Sequence, residues 1–201
     1  MRWWRSTAPG LDDVLLSQRY ADALAFSFAA HREQARKGSH VPYFAHLIGV
    51  SSLVMEYGGD EDQAIAALLH DAAEDQGGHA MLAQIEARFG STVSEIVRGC
   101  SDSLEATKPP WRERKRQYVE HLKTASPDAQ LVSACDKLYN ARAILSDLRV
   151  IGESLWERFT GGREGVLWYY RELADAFTID SPVVGELRRT VAELGAVARG
   201  A

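Results

Sequence analysis

The chain has 201 residues, of which 46% are hydrophobic and 25% are charged, and its net charge at pH 7 is −5. This length suits one domain with a substantial core and is short for two domains, and no apolar run in the sequence is long enough to span a bilayer. The negative charge argues against an extended nucleic-acid interface but permits a local basic pocket for a small anion. We therefore expect a single domain over residues 1–201, with no stable nucleic-acid complex and no membrane association.

Two features bear on location in the cell. The amino terminus, Met1 to Arg5, carries charge and aromatic rings, but no apolar stretch of the kind found in a signal peptide follows it. Cys100 and Cys135 have no CxxC spacing and fall inside helical patterns, which favours free buried thiols over a disulfide or a zinc site. Both features indicate a cytoplasmic protein.

Turn signals divide the chain into about ten helical segments without a convincing alternating strand pattern, so the sequence predicts an all-α fold. The first helix is expected within residues 11–35 and the second over about residues 45–57. Residues 37–43 between them predict a loop, with the cations Arg36 and Lys37 at its start.

A very apolar helix follows, and its last residues are mostly acidic. Asp60 and Gln63 form a capping-box pattern at its start. Its last part carries four ionisable residues: His70, Asp71, Glu74 and Asp75. On one helix over residues 64–76, side chains four apart share a face, so these residues would form two adjacent polar stripes. Burying them unpaired would cost roughly several kcal/mol each, and we therefore expect a compensating cation, with a divalent metal as the natural candidate.

The second half of the chain continues the helical pattern. One short helix closes at Gly90, and the next is predicted to be capped by Thr92. After a polar loop, residues 111–124 predict a basic amphipathic helix. We interpret its run from Arg112 to Arg116 as a solvated face, of which one member could reach a substrate.

The last helices bring one more charge into an apolar face. Ser126 predicts the start of a helix whose apolar positions surround an isolated Asp136. The aromatic group Trp168 to Tyr170 is typical of a core, with at most one member contacting a substrate, and a closing helix is expected over about residues 182–197.

The ionisable residues supply a suitable set of metal ligands. His70 and Asp71 are adjacent, His46 lies upstream and Asp136 lies downstream. Two imidazoles and two carboxylates suit Mn²⁺, Fe²⁺, Zn²⁺ or a similar ion. A His-Asp pair by itself is a weak signal, because this dipeptide is common by chance.

The surrounding residues resemble the HD-domain hydrolases and, within them, the hydrolase domain of the RelA/SpoT homologue family in its small single-domain form. The resembling segments are RKGSHVPYFAH at residues 36–46, ALLHDAAED at residues 67–75 and CDKLYN at residues 135–140. Their order and spacing match across roughly residues 18–178. The resemblance implies a single HD-type helical bundle that acts as a hydrolase and lacks the synthetase domain of the long family members.

The resemblance also implies a metal site and a reaction. Four residues would hold one Mn²⁺: His46, His70, Asp71 and Asp136. Glu74 and Asp75 would be the catalytic acidic pair, and Asn140 would belong to the same site. Family members of this kind remove the 3′-pyrophosphate of ppGpp or pppGpp. The residue types agree, because a divalent ion acidifies water and a nearby carboxylate can accept the proton; which acid does so stays open.

By similarity, the substrate would contact residues from three parts of the chain: Arg36, Lys37, Lys137, Asn140 and Tyr169. Asn140 follows Asp136 by four residues, so both project from one helical face. The loop between Lys37 and Pro42 is shorter than in some relatives, which leaves the identity of the nucleotide base open. Leu47 stands where many relatives have proline, and neither departure removes a ligand.

Other functions stay open beside hydrolysis of ppGpp. The substrate could be ppApp, the 2′-phosphate of NADPH, or a pyrophosphate that a toxic synthetase partner places on a transfer-RNA end. A different class is a noncatalytic module that senses a nucleotide or binds a toxin. The acidic pair disfavours that class, because a binding module needs no water-activating acids.

Overall fold

The computed structural model describes residues 16–104 and 109–200. Within these ranges the chain forms ten α-helices and one 3-10 helix and contains no strand. The α-helices are α1 Gln18–His31, α2 Tyr43–Glu56, α3 Glu61–Leu69, α4 Ala72–Gln76, α5 Gly78–Phe89, α6 Ser91–Cys100, α7 Trp111–Leu122, α8 Pro127–Ile151, α9 Gly162–Ala176 and α10 Pro182–Gly200. The 3-10 helix, Gly152–Arg158, lies between α8 and α9. The predicted all-α fold of about ten helices is confirmed.

The longest helix, α8, lies at the centre of the bundle. It packs against α2, α3, α6 and α10, and one face of it is buried along most of its 25 residues. The Ser126 hydroxyl accepts a hydrogen bond from the backbone N–H of Ala129, as the sequence predicted for the helix start. Because α8 is enclosed by neighbours, Asp136 in its middle is only 5% exposed.

Two predicted features of the shorter helices have opposite outcomes. The capping box of Asp60 and Gln63 at the start of α3 is present, with both reciprocal hydrogen bonds. The predicted cap at Thr92 is wrong, since α6 already begins at Ser91 and Thr92 lies exposed in its first turn. Gly90, with φ of +95°, joins α5 to α6 without an intervening loop, a conformation that favours glycine.

The predicted continuous helix over residues 64–76 is wrong. It is broken at His70 and Asp71, which form a turn between α3 and α4. Nδ1 of His70 donates a hydrogen bond to the carbonyl oxygen of Ala67 over 2.8 Å. A continuous helix would use that oxygen for the backbone N–H of Asp71, so the imidazole competes with the helix at this point. The two polar stripes expected on a single helix do not form.

The first helix is shorter than the sequence indicated. It ends at His31, whereas the prediction ran to residue 35, and residues 11–15 of the predicted helix lie outside the described part of the chain. The following loop is closed by an isolated bridge between Ala35 and Pro42. The N–H of Arg36 donates to Val41 O over 2.8 Å, which fixes the backbone of Arg36 in front of α2.

Two expectations from composition can be compared with the structure. Cys100 and Cys135 are both free and buried, as predicted. No helix among the described residues is long and apolar enough to cross a membrane.

Candidate metal centre and active site

Three elements that are distant in sequence bring two histidines and a carboxylate together. His46 comes from α2, His70 from the turn after α3 and Asp136 from α8, and all three side chains are buried. One donor atom of each residue lies within 4.8 Å of the other two. Nε2 of His46 is 3.2 Å and Nε2 of His70 is 3.6 Å from Oδ1 of Asp136. The cluster has the composition and the spacing of a metal site.

Asp71 lies at the edge of this cluster. Its Oδ2 is 3.0 Å from Nε2 of His70 and 3.7 Å from Nε2 of His46. The hydroxyl of Tyr43 donates to the same oxygen over 2.5 Å. Asp71 is therefore placed to act as a fourth ligand, although it is not part of the three-residue group with mutually close donor atoms.

The hydrogen bond of His70 leaves one ring nitrogen free for a cation. Its Nδ1 donates to Ala67 O, so Nε2 is the nitrogen that faces the carboxylates and can hold either a proton or a metal ion there. Among the residues that the structure describes, Nε2 of His70 and both ring nitrogens of His46 are buried without a hydrogen-bond partner. Lone pairs and carboxylate oxygens that converge in a buried space repel one another unless a proton or a metal ion lies between them. The donor set fits a divalent cation.

The charges of the cluster are strongly coupled. Burial has the largest single effect on His70 and disfavours its charged form, but Asp71 and Asp136 together outweigh burial and raise the pKa of His70 well above its usual value. Burial likewise disfavours ionised Asp136, but Lys137 and the two histidines hold the pKa of Asp136 well below its usual value. Burial also disfavours ionised Asp71, but His70 and His46 hold the pKa of Asp71 well below its usual value. Both carboxylates thus stay ionised, which is the state that ligates metals.

A cavity of about 590 Å³ reaches the cluster at His46. His46 lines it, and so do all five residues predicted to contact substrate: Arg36, Lys37, Lys137, Asn140 and Tyr169. Within the described ranges, the cavity lining includes six Arg and Lys side chains but only one carboxylate, that of Asp147. Such a wall attracts a small, highly negative ligand.

A hydrogen-bond chain joins the cavity mouth to the cluster. Nη2 of Arg36 donates to Oδ1 of Asn140 over 2.7 Å, and Nδ2 of Asn140 donates to Oδ1 of Asp136 over 2.5 Å. Nζ of Lys137 donates to the other oxygen of Asp136 over 2.6 Å. The guanidinium of Arg36 also lies 5.9 Å from the ring centroids of both Tyr43 and Tyr139. These contacts orient Asp136 from two sides.

The predicted acidic pair does not point in one direction. Glu74 is partly buried: its Oε2 accepts from the backbone N–H of Asp102 over 3.0 Å, and its Oε1 lies 3.6 Å from Nη1 of Arg114. Asp75 is exposed and accepts from Nε2 of Gln34 over 2.8 Å. Adjacent helical residues differ in direction by about 100°, which explains why one acid turns toward α7 and the other toward the loop after α1.

The interpretation of Arg112 to Arg116 as a solvated face is wrong for two members. The side chains of Arg114 and Lys115 are only 16% and 17% exposed and line the cavity. The signal was present in the sequence, because Arg114 and Lys115 lie between Trp111 and Tyr118 at the spacing of one helical face. Tyr118 is 2% exposed, so this face is directed inward.

Tyr169 combines a core position with a place in the cavity wall. It is 6% exposed and packs against Trp111 at a ring-centroid distance of 6.2 Å. Nζ of Lys115 lies 4.9 Å from its ring centroid. Trp168 instead stacks under the guanidinium of Arg112, 4.0 Å away. The expectation that the aromatic group is chiefly core is consistent with this arrangement.

The fold and the cluster agree with a family-wide comparison. The model of the HD domain matches residues 23–167, which is most of the chain. The chain belongs to the HD-domain family. The matched range contains all three residues of the buried cluster.

Curated relatives within this family share a name. The chain is 39% identical over 124 residues to guanosine-3′,5′-bis(diphosphate) 3′-pyrophosphohydrolase MESH1 of Danio rerio, covering 60% of this chain and 66% of that protein. It is 34% identical over 143 residues to the protein of the same name from Drosophila melanogaster, covering 70% and 75%. The match thus spans slightly less than two thirds of the first of these relatives.

A solved structure gives a longer match. The structure described as "a metazoan ortholog of SpoT hydrolyzes ppGpp and plays a role in starvation responses" superimposes with a TM-score of 0.70 and 27% sequence identity. The superposition covers 97% of this chain and 98% of that one. The helical arrangement of the described residues is therefore shared with that structure.

Proposed function

We propose that this HD-domain protein is a metal-dependent hydrolase that removes the 3′-pyrophosphate of ppGpp or pppGpp and leaves GDP or GTP. The observation that carries the proposal is the buried cluster of His46, His70 and Asp136 at the wall of a cavity whose other charged groups are nearly all cations. The relatives named as ppGpp 3′-pyrophosphohydrolases support the choice of substrate.

We propose four residues as holders of the ion: His46, His70, Asp71 and Asp136. Imidazole and carboxylate donors suit several divalent ions, and among them we propose Mn²⁺ because of the resemblance to the RelA/SpoT hydrolase domain. When bound, such an ion acidifies water and withdraws charge from a phosphoryl oxygen. Asn140 and Lys137 keep the Asp136 carboxylate oriented through hydrogen bonds of 2.5 and 2.6 Å.

Hydrolysis breaks the bond between the 3′-oxygen and phosphorus and adds water across it, so a base must accept a proton from the water. We propose that Glu74 is this base, because its carboxylate is partly buried and fixed by the N–H of Asp102. Asp75 is exposed and bonded to Gln34, and in this proposal it supports the first turn of α4 and its contact with α1.

The cations of the cavity bind and orient the substrate. Arg36 and Lys37 lie at one side and contact the base and phosphates in this proposal, and Lys137, Asn140 and Tyr169 lie on the wall formed by α8 and α9. Aromatic faces beside guanidinium and ammonium groups suit a ligand that has a planar base and phosphates. The two buried free thiols are consistent with a reducing compartment, and we propose a cytoplasmic location.

A direct assay tests the proposal. Purified protein is stripped of metal, reloaded with Mn²⁺ and incubated with ppGpp, ppApp and NADPH in parallel, and the release of pyrophosphate is separated from that of orthophosphate. We expect pyrophosphate from ppGpp and a higher kcat/KM for ppGpp than for the other two nucleotides. Absence of turnover of ppGpp by the metal-loaded protein would contradict the proposal. A higher kcat/KM for ppApp or NADPH would identify that nucleotide as the substrate instead of ppGpp.

A further inference from the structure

A buried carboxylate behind the cavity wall holds two cations of α7. Asp102, in the segment after α6, accepts hydrogen bonds at Oδ2 from Nη1 of Arg114 over 2.7 Å and from Nζ of Lys115. Its side chain is only 6% exposed. Two largely buried cations therefore share a single carboxylate oxygen, and both cations line the cavity.

The hydrogen-bonding capacity of these cations is not used up. An ammonium has three donors and a guanidinium has five. Within the part of the chain that the structure describes, Asp102 is the one hydrogen-bond acceptor of Lys115, and Nε of Arg114 is buried without a partner. Burial lowers the pKa of Lys115, although Asp102 opposes this effect. Unused donors on part-buried cations are unfavourable until an anion accepts from them.

The charges around the pair favour an anion on the cavity side. Lys115 lies over the ring of Tyr169, and Lys137, the next cation along the wall, is bonded to Asp136. If Asp136 ligates a cation, that ion neutralises part of the negative charge of Asp136. The positive charge of Lys137 then contributes to the cavity wall. Glu74 is the other acid near Arg114, at 3.6 Å.

We propose that Arg114 and Lys115 form an anion subsite for a phosphate group of the substrate, and that Asp102 is the positioning residue that holds both cations toward the cavity. The identity of the substrate in this inference rests on the proposed function. Binding of a phosphate group at this subsite does not depend on that function. Asp102 also donates its N–H to Glu74, so the same short segment fixes the subsite and the proposed base.

The test compares Lys115→Met with Arg116→Met on the same helix, since Arg116 is exposed and does not line the cavity. The Kd of inorganic pyrophosphate is measured by calorimetry on Mn²⁺-loaded protein, and kcat and KM are measured with ppGpp. We expect Lys115→Met to weaken pyrophosphate binding and raise the KM by about 10- to 100-fold, the range for a lost charge-assisted hydrogen bond. Its kcat should change less, and Arg116→Met should stay within about twofold of wild type.

Two further variants separate binding from folding. Lys115→Arg keeps the charge and should recover most of the pyrophosphate affinity, which a purely structural defect would not predict. Lys115→Gln replaces Lys115→Met if the latter does not fold, as judged by circular dichroism and the melting temperature. Pyrophosphate binding by a folded Lys115 variant that equals binding by Arg116→Met would overturn the subsite. If wild type binds pyrophosphate in a Lys115-dependent manner but does not hydrolyse ppGpp, the subsite stands and the proposed function falls.

Discussion

The side chain of Asn140 joins Asp136 to Arg36. Its Nδ2 donates to Oδ1 of Asp136, one turn earlier in α8, and its Oδ1 accepts from Nη2 of Arg36 in the loop before α2. One amide thus spans from the cluster of His46, His70 and Asp136 to the cavity mouth. Groups that orient a metal ligand in this way contribute to metal affinity and activity although they do not touch the ion.

Asn140→Ala should therefore lower metal affinity or kcat/KM by about 10- to 100-fold, because Asp136 loses one of its two side-chain hydrogen-bond donors. Metal affinity is measured by calorimetry with Mn²⁺, and kcat/KM with ppGpp. Ser146→Ala is the matched control, since Ser146 is exposed on the same helix. If Asn140→Ala matches this control in both measurements, Asn140 has no orienting role.

The central residues of the site can be predicted from the sequence because each one is ionisable within an otherwise apolar segment. Asp136 is a charge within an apolar helical face, and His70 and Asp71 end a helix that is otherwise apolar. Buried charges of this kind require partners. The partners themselves are far apart in sequence, and the family pattern, not the periodicity, indicated which residues meet.

Side-chain directions near the helix ends were not predictable in the same way. The break at His70 depends on the bond from its Nδ1 to Ala67 O, which a hydrophobic pattern does not encode. The position of Glu74 depends on the backbone N–H of Asp102, in a segment without periodicity. The many charges of α7 favour a solvated Arg114, whereas Trp111 and Tyr118, about one turn on either side, direct it inward.

Asp136→Ala should abolish metal binding and hydrolysis together, because it removes the carboxylate whose Oδ1 faces both histidines. Metal content is measured by elemental analysis after dialysis against Mn²⁺. Addition of a chelator should lower the melting temperature of wild type, since an ion that binds only the folded state stabilises it, and should leave that of the variant unchanged. Asp175→Ala, at an exposed position of α9, serves as the control and should behave like wild type. Full metal content in Asp136→Ala would exclude Asp136 as a required ligand.

Glu74→Gln should retain the metal and lose about 10²- to 10⁴-fold in kcat, the range for removal of a general base. The amide keeps the size of the side chain and can still accept the hydrogen bond from Asp102, so the fold should be preserved. Asp75→Asn is the paired variant, and its smaller loss is expected from the exposed position of Asp75. Single-turnover rates at saturating ppGpp distinguish the two. A full rate for Glu74→Gln, or a greater loss for Asp75→Asn, would reassign the base.

Gly49 in α2 leaves space for the ring of Tyr139, which packs against His46. A Cβ at Gly49 would overlap Cε2 of Tyr139, and the centroid of the Tyr139 ring lies 5.0 Å from that of the His46 ring. Such an overlap forces the ring to move, and overpacking of this kind costs about 1–3 kcal/mol. It opposes the gain of up to about 1 kcal/mol that alanine offers over glycine inside a helix.

Gly49→Ala should therefore lower the free energy of unfolding, measured by urea denaturation, and weaken Mn²⁺ binding through the displaced Tyr139 ring. Gly185→Ala in α10 provides the control, because its added Cβ meets Arg189 at an ordinary 3.7 Å. That control should be as stable as wild type or more stable by up to about 1 kcal/mol. Equal stabilisation by both substitutions would show that Tyr139 moves without cost, and the contact between its ring and His46 would then have no part in holding the metal ligand.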